Sequence, residues 1–188
     1  SVTFTGLNWR GLSLIKDSHL KYARIINSSD NHNYYDWFIK LENSTIEDSR
    51  ISGSQYGPRV SENSTIKNSK VHNIRRTGME LTGNSTATGN EFYDINTQES
   101  QNNHIYVHSS TFNSNRVYSI SNNSNNYAVR SQGGSTIMYN TIGGSTGKHG
   151  SVGISIRYDR DHTIKYNNIG GFTSNIAIHG YKENLEFT

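Results

Sequence analysis

The sequence predicts an all-β fold, a right-handed parallel β-helix wound as a single-stranded solenoid of about seven to eight coils. Three observations predict it. One short phrase recurs seven times along the 188 residues. A second strand-like stretch with period-2 alternation precedes most copies. No stretch places apolar residues at i, i+3, i+4 and i+7 over the ten or more positions that a helix requires.

The phrase is an apolar residue, two variable ones, a small or amide residue, one more variable, then an apolar. Its copies are Leu20…Ala23…Ile25, Ile46…Ser49…Ile51, Ile66…Ser69…Val71, Ala87…Asn90…Phe92, Phe112…Asn115…Val117, Ile137…Asn140…Ile142 and Ile164…Asn167…Ile169. Their first members are spaced by 26, 20, 21, 25, 25 and 27 residues, the length of one solenoid coil. Ser-Thr pairs enter the phrase at Ser44, Ser64, Ser85, Ser110 and Ser135, as turn and strand-entry residues.

The second strand of each coil reads Ile39/Leu41, Met79/Leu81, Ile105/Val107, Ala128/Val129, Ile154/Ile156 and Ile176/Ile178, so two strands per coil are expected. The middle position of the phrase runs Ala23, Ser49, Ser69, Asn90, Asn115, Asn140, Asn167. Stacked coils place the four amides above one another at the ~4.8 Å strand spacing, where each satisfies the next. One domain over residues 1–188 is expected, cut from a longer protein.

On this amide column the chain resembles the right-handed parallel β-helix proteins of the pectate-lyase-like superfamily, in which an asparagine ladder is a recurring device. The opening Val2-Thr3-Phe4-Thr5-Gly6, with Trp9-Arg10-Gly11-Leu12 and Leu20 to Ile25 after it, is similar to repeat-rich surface and secreted β-helix proteins. The resemblance implies a secreted or cell-surface protein that works on polysaccharide.

Composition agrees with a thin, polar solenoid. Only 31% of residues are hydrophobic, yet the net charge is +3, with one Pro and 12 Tyr, which is not the make-up of a disordered chain. With no Cys there is neither a disulfide nor a thiolate metal site. No apolar run reaches the 18 residues of a membrane-spanning helix. The basic balance, 18 Lys+Arg against 15 Asp+Glu, suits a polyanion such as a uronic-acid polymer. Nucleic acid is not expected, because no Lys/Arg run is interleaved with aromatics.

The variable loops all lead into the alternating strand, so a ligand is expected on its outward face. One outward column reads Lys40, Arg59, Glu80, Tyr106, Ala128, Ser155, Ala177; the next reads Glu42, Ser61, Thr82, His108, Arg130, Arg157, His179. Together they form a strip roughly 30 Å long, flanked by Tyr34, Tyr35, Trp37, Tyr56 and Tyr93 for sugar stacking. For an elimination on a uronic acid, Lys40 and Arg59 would neutralise the carboxylate, Tyr106 and His108 would handle the proton, and Glu80 would sit between them. His104, Arg130, Arg157 and His179 would bind substrate.

A hydrolase would need paired carboxylates, and none accompany Gly147-Lys148-His149-Gly150. The acidic turn Asp159-Arg160-Asp161-His162 reads as a loop. No metal or other cofactor is expected, since His104 and His108 lie ~13 Å apart along one strand. The sequons at Asn27, Asn43, Asn63, Asn84 and Asn122 follow largely from the repeat. The function expected is depolymerisation of an acidic glycan. The alternative is a non-catalytic carbohydrate-binding adhesin or surface-layer module.

Overall fold

The computed structural model describes residues 2–6, 11–27, 37–96, 103–121, 127–144, 151–157, 160–179 and 185–187. The first strands are β1 Val2–Gly6, β2 Leu12–Leu14, β3 His19–Lys21, β4 Ala23–Asn27, β5 Ile39–Glu42, β6 Thr45–Glu47, β7 Arg50–Ser52 and β8 Pro58–Ser61. Then come β9 Thr65–Lys67, β10 Lys70–Ile74, β11 Met79–Leu81, β12 Thr86–Thr88, β13 Glu91–Asn96, β14 Asn103–His108, β15 Thr111–Asn113 and β16 Arg116–Ser121. The last are β17 Tyr127–Gln132, β18 Thr136–Met138, β19 Thr141–Gly143, β20 Val152–Arg157, β21 His162–Lys165, β22 Asn168–Gly170, β23 Ser174–His179 and β24 Leu185–Phe187.

Every third strand joins the same sheet, giving three parallel eight-stranded sheets, A from β1 to β22, B from β2 to β23 and C from β3 to β24. The fold is therefore an all-β parallel solenoid. Each coil contributes three strands, and the expectation of two is corrected. The repeated phrase is not one strand but two, from sheets C and A. They meet at a corner made by one residue in the left-handed region: Tyr22, Asp48, Asn68, Ser114, Tyr139 or Tyr166, with φ between 49° and 56°, or Gly89 at 66°.

The register of the phrase is as expected. Leu20, Ile46, Ile66, Ala87, Phe112, Ile137 and Ile164 pair in succession across sheet C. Ile25, Ile51, Val71, Phe92, Val117, Ile142 and Ile169 do so across sheet A. With the apolar residues of sheet B these fill a continuous core, in which the Phe92 and Phe112 rings lie 5.8 Å apart. Stacking is what buries them, since no single coil has an interior of its own.

Two polar ladders run beside this core. At the C-to-A corner the backbone N–H of each coil donates to the side chain of the next: Ala23 to Ser49 Oγ, Ser49 to Ser69 Oγ and Ser69 to Asn90 Oδ1. The series continues from Asn90 to Asn115, Asn115 to Asn140 and Asn140 to Asn167. At the B-to-C corner, Ser18 donates to Ser44 Oγ, Ser44 to Ser64, Ser64 to Ser85 and Ser85 to Ser110. The Ser-Thr serines thus form a second ladder and are more than strand-entry residues. Both ladders serve one need, because a buried corner N–H has no strand partner and must find another acceptor.

Sheet B departs from expectation at β17. Val129, not Ala128, continues the inward column of Ile105 and Ile154, and Ser131 follows it between Val107 and Ile156. Ala128, the residue before Val129, is buried as well at 1% exposure and joins the same core. A hydroxyl takes an apolar place here because Ser131 Oγ donates to His162 Nδ1 at 2.9 Å.

Candidate functional site

The register of sheet B departs from the expected columns at two places, and Ser155, expected on the outside, is buried at 2% exposure. Lys40, Arg59, Glu80, Tyr106, Arg130, Ser155 and Ala177 pair in succession, so Arg130 occupies the place expected for Ala128. In the second column Gln132 pairs with His108, and Arg157 pairs with His179. Arg130 is therefore beside Tyr106 and not in line with Arg157.

Two contacts use up part of the strip's polar groups, while His108 Nδ1 is buried without a hydrogen-bond partner among the described residues. Arg59 Nε lies 3.2 Å from Glu80 Oε1, and the Tyr106 hydroxyl donates to Gln132 Oε1 at 2.7 Å. Burial pushes the Glu80 carboxyl above its usual range, and the Arg59 charge then opposes that rise. Beside Lys40 and Arg59, a shallow cavity of about 320 Å³ is also lined by Glu42 and Glu62, so cations and carboxylates face one another. His108 packs under Gly133, whose missing Cβ leaves room for the ring, 2.7 Å from Cε1.

Other expected site residues fall elsewhere. His104 is 0% exposed, with Nδ1 3.0 Å from the Tyr127 carbonyl oxygen, so it belongs to the interior and contacts no ligand on the strip. Trp37 and Tyr56 pack on each other with centroids 5.1 Å apart, and Arg76 donates to the Tyr56 hydroxyl. Arg157 is exposed at the end of β20. Tyr34 and Tyr35 lie outside the described residues, as do Gly147 to Gly150. Tyr93, expected as a flank of the strip, is on sheet A.

His162 and Ser131 superficially combine a nucleophile with a base. Both are buried, at 2% and 0% exposure. His162 Nδ1 also accepts the Ser135 N–H at 3.3 Å, which leaves Nε2–H to donate to the Arg157 carbonyl at 3.2 Å. Histidine thus takes the serine's rung in the second ladder. No substrate can reach it, and the pair is structural.

The face that sequence reading overlooked is the outside of sheet A. Arg24, Arg50, Lys70, Glu91, Arg116, Thr141 and Asn168 pair in one column, four cations with a single carboxylate among them. Glu91 lies 3.2 Å from Lys70 Nζ and accepts from the Tyr118 hydroxyl. In the adjacent column His72 stacks on Tyr93 at 4.8 Å and 1°, and Tyr93 stacks on Tyr118 at 5.2 Å and 10°. Arg116 lies over the Tyr118 ring, 4.7 Å from its centroid.

Arg50 Nε donates to His72 Nε2 at 2.7 Å. Burial, followed by the charges of Arg50, Arg24 and Lys70, holds His72 below its usual range, while Asp94 pulls the other way. A histidine opposed by three neighbouring cations reports a positive field at this face. The signal was in the repeat itself: the position immediately before the phrase's last apolar residue reads Arg, Arg, Lys, Glu, Arg, Thr, Asn.

No family model and no curated relative matches the chain. Among solved structures it is similar to trypsin-treated QnrB1, a plasmid-mediated fluoroquinolone resistance protein, at 7% identity over 95% of this chain and 92% of that one, with a TM-score of 0.32. The expectation of a polysaccharide-processing protein is corrected here: the solved structure that the chain resembles is described as a resistance protein, and the carbohydrate-binding alternative finds no support either. The polysaccharide partner goes with it. A likeness at that score assigns no activity of its own to this chain. The geometry supplies a physical reason as well, since on the strip meant to grip a polyanion Arg59 is paired with Glu80, and Glu42 and Glu62 line the cavity beside Lys40.

Proposed function

We propose that the chain is a non-catalytic docking module whose sheet A face binds an acidic protein surface. The observation that carries this reading is the aligned column of Arg24, Arg50, Lys70 and Arg116 beside the stacked rings of His72, Tyr93 and Tyr118. Arg and Tyr are the side chains that dominate binding energy at protein interfaces. Seven rows at the ~4.8 Å strand spacing extend roughly 30 Å, the reach of an interface of standard size. A flat sheet face suits a protein surface better than a small ligand, which calls for a concave site.

Sheet B presents cations too, but Arg59 is paired with Glu80, and Glu42 and Glu62 line the cavity beside Lys40. Its attraction for an anion is weaker for that reason. The stacked amides support kinship in fold with the pectate-lyase-like superfamily, and no activity is carried over from it.

The test is binding of poly-L-aspartate to the full chain at low and physiological salt. The triple variant Arg24→Glu, Lys70→Glu, Arg116→Glu should weaken binding by more than about tenfold, and the wild-type affinity should fall as salt rises. The double variant Lys40→Glu, Arg59→Glu on sheet B should leave it within about twofold. Equal losses from both variants, or tighter binding of duplex DNA than of poly-L-aspartate, would overturn the reading.

A further inference from the structure

Resting on that reading of sheet A, we infer that occupation of the face by an acidic protein is coupled to uptake of a proton by His72, so that mild acid strengthens binding. His72 is 6% exposed and lies beneath the charged column. It meets the partner through the field of its neighbours.

In the free protein the ring is held neutral by geometry. Nε2 accepts the Arg50 Nε–H at 2.7 Å, which a protonated ring cannot do, so the ring's one proton resides on Nδ1. The ring lies flat on Tyr93, which fixes its plane. The groups acting on it come from four strands: Arg24 on β4, Arg50 on β7, Lys70 on its own β10, and Asp94 with Tyr93 on β13. Glu91, also on β13, is engaged by Lys70. Three cations and burial oppose a second proton, and Asp94 alone among these charges favours it.

Carboxylates arriving over Arg24 and Arg50 change that balance. They cancel the field of the two guanidiniums, and a carboxylate takes the Arg50 fork in bidentate fashion, releasing His72 Nε2. The freed nitrogen then binds a proton from solvent, and the imidazolium is stabilised by the field of the same acidic groups. Charge balances, since every proton the ring gains leaves the buffer.

The direction follows from linkage. His72 starts below 6.5 in the free protein and is raised by the partner, so affinity grows as pH falls through the interval between the free and bound values. Calorimetric titration of the full chain with poly-L-aspartate, in buffers of different ionisation enthalpy, counts the protons taken up. Wild type should take up about half a proton per site at its maximum, in mildly acid buffer. It should also bind several-fold tighter at pH 5.5 than at 7.5, about tenfold being the limit reached well below both values when the partner raises the ring's proton affinity about tenfold. His72→Gln keeps an acceptor for Arg50 but cannot titrate, and should bind with no pH dependence over that range. Poly(styrene sulfonate), which does not titrate there, should show the same contrast. Wild-type binding without proton uptake, or pH dependence that survives in His72→Gln, would overturn the coupling and leave the face standing. Failure of wild type to bind either polymer at any pH would overturn the face and the coupling together.

Discussion

The ladder at the C-to-A corner shows what one residue does when it is repeated. Asn115 Oδ1 accepts from the backbone N–H and the side-chain amide of Asn90, while its own amide donates to the Ala87 carbonyl and to Asn140 Oδ1. Asn115→Leu would bury an apolar group of similar size but strand the Asn90 donors, at about 1–3 kcal/mol for each group left unpaired. Asn115→Ser keeps one acceptor at the rung, as Ser49 and Ser69 do, and should cost less than half as much. Urea unfolding of the two variants checks the order; equal losses would mean that the amide acts by volume and not by pairing. This ladder was legible in sequence, because its spacing is set by the repeat. The left-handed residue just before each rung was not, since Tyr22, Asp48, Asn68, Gly89, Ser114, Tyr139 and Tyr166 share no side-chain chemistry. What they share is a backbone angle.

At the scale of strands, register converts distant residues into neighbours, and electrostatics follows. Lys21, Glu47 and Lys67 succeed one another across β3, β6 and β9. Glu47 lies 2.7 Å from Lys21 Nζ, 3.0 Å from Lys67 Nζ and 3.1 Å from His19 Nε2. Lys21, then Lys67, hold the Glu47 carboxyl down to about 2, and the same contact raises the Lys21 ammonium above its usual range. The carboxyl is depressed relative to its ordinary 4.5, so its contribution is fully present above that value and is lost as pH falls toward about 2. Glu47→Gln should therefore lower the urea midpoint at neutral pH and low salt, with the difference fading near pH 2 and in 0.5 M salt (roughly a 4 Å screening length). A difference that persists in acid would assign the effect to packing. The strand register that builds this cluster was readable for sheets C and A. It failed at β17, where Ser131 sits inside against a histidine some thirty residues away, a partnership that alternation of apolar residues cannot signal.

The whole molecule behaves as a stack in which each coil is supported by its two neighbours. Stability in such an array is a sum of coil terms and adjacent-coil interfaces. Asn90 and Asn115 share hydrogen bonds, whereas Asn90 and Asn167 are separated by two intervening rungs. Double-mutant cycles should give a coupling above about 0.5 kcal/mol for Asn90→Ser with Asn115→Ser, and additivity within about 0.3–0.5 kcal/mol for Asn90→Ser with Asn167→Ser. Coupling of the distant pair would show that the stack melts as one indivisible unit.

The same architecture divides what was knowable early from what was not. A repeat of apolar and amide positions is enough to determine a parallel solenoid, its amide column and the register of sheets A and C, because stacking coils is the only way those residues can be buried and paired. Which outward column stays electrostatically unspent is a different kind of question. Arg59 meets Glu80 one strand over and Lys70 likewise meets Glu91, whereas Arg24 and Arg50 follow one another with no carboxylate between them. Side-chain charge is written in the sequence, but its neutralisation depends on distances between residues twenty or more positions apart, and those exist only once the coils are stacked.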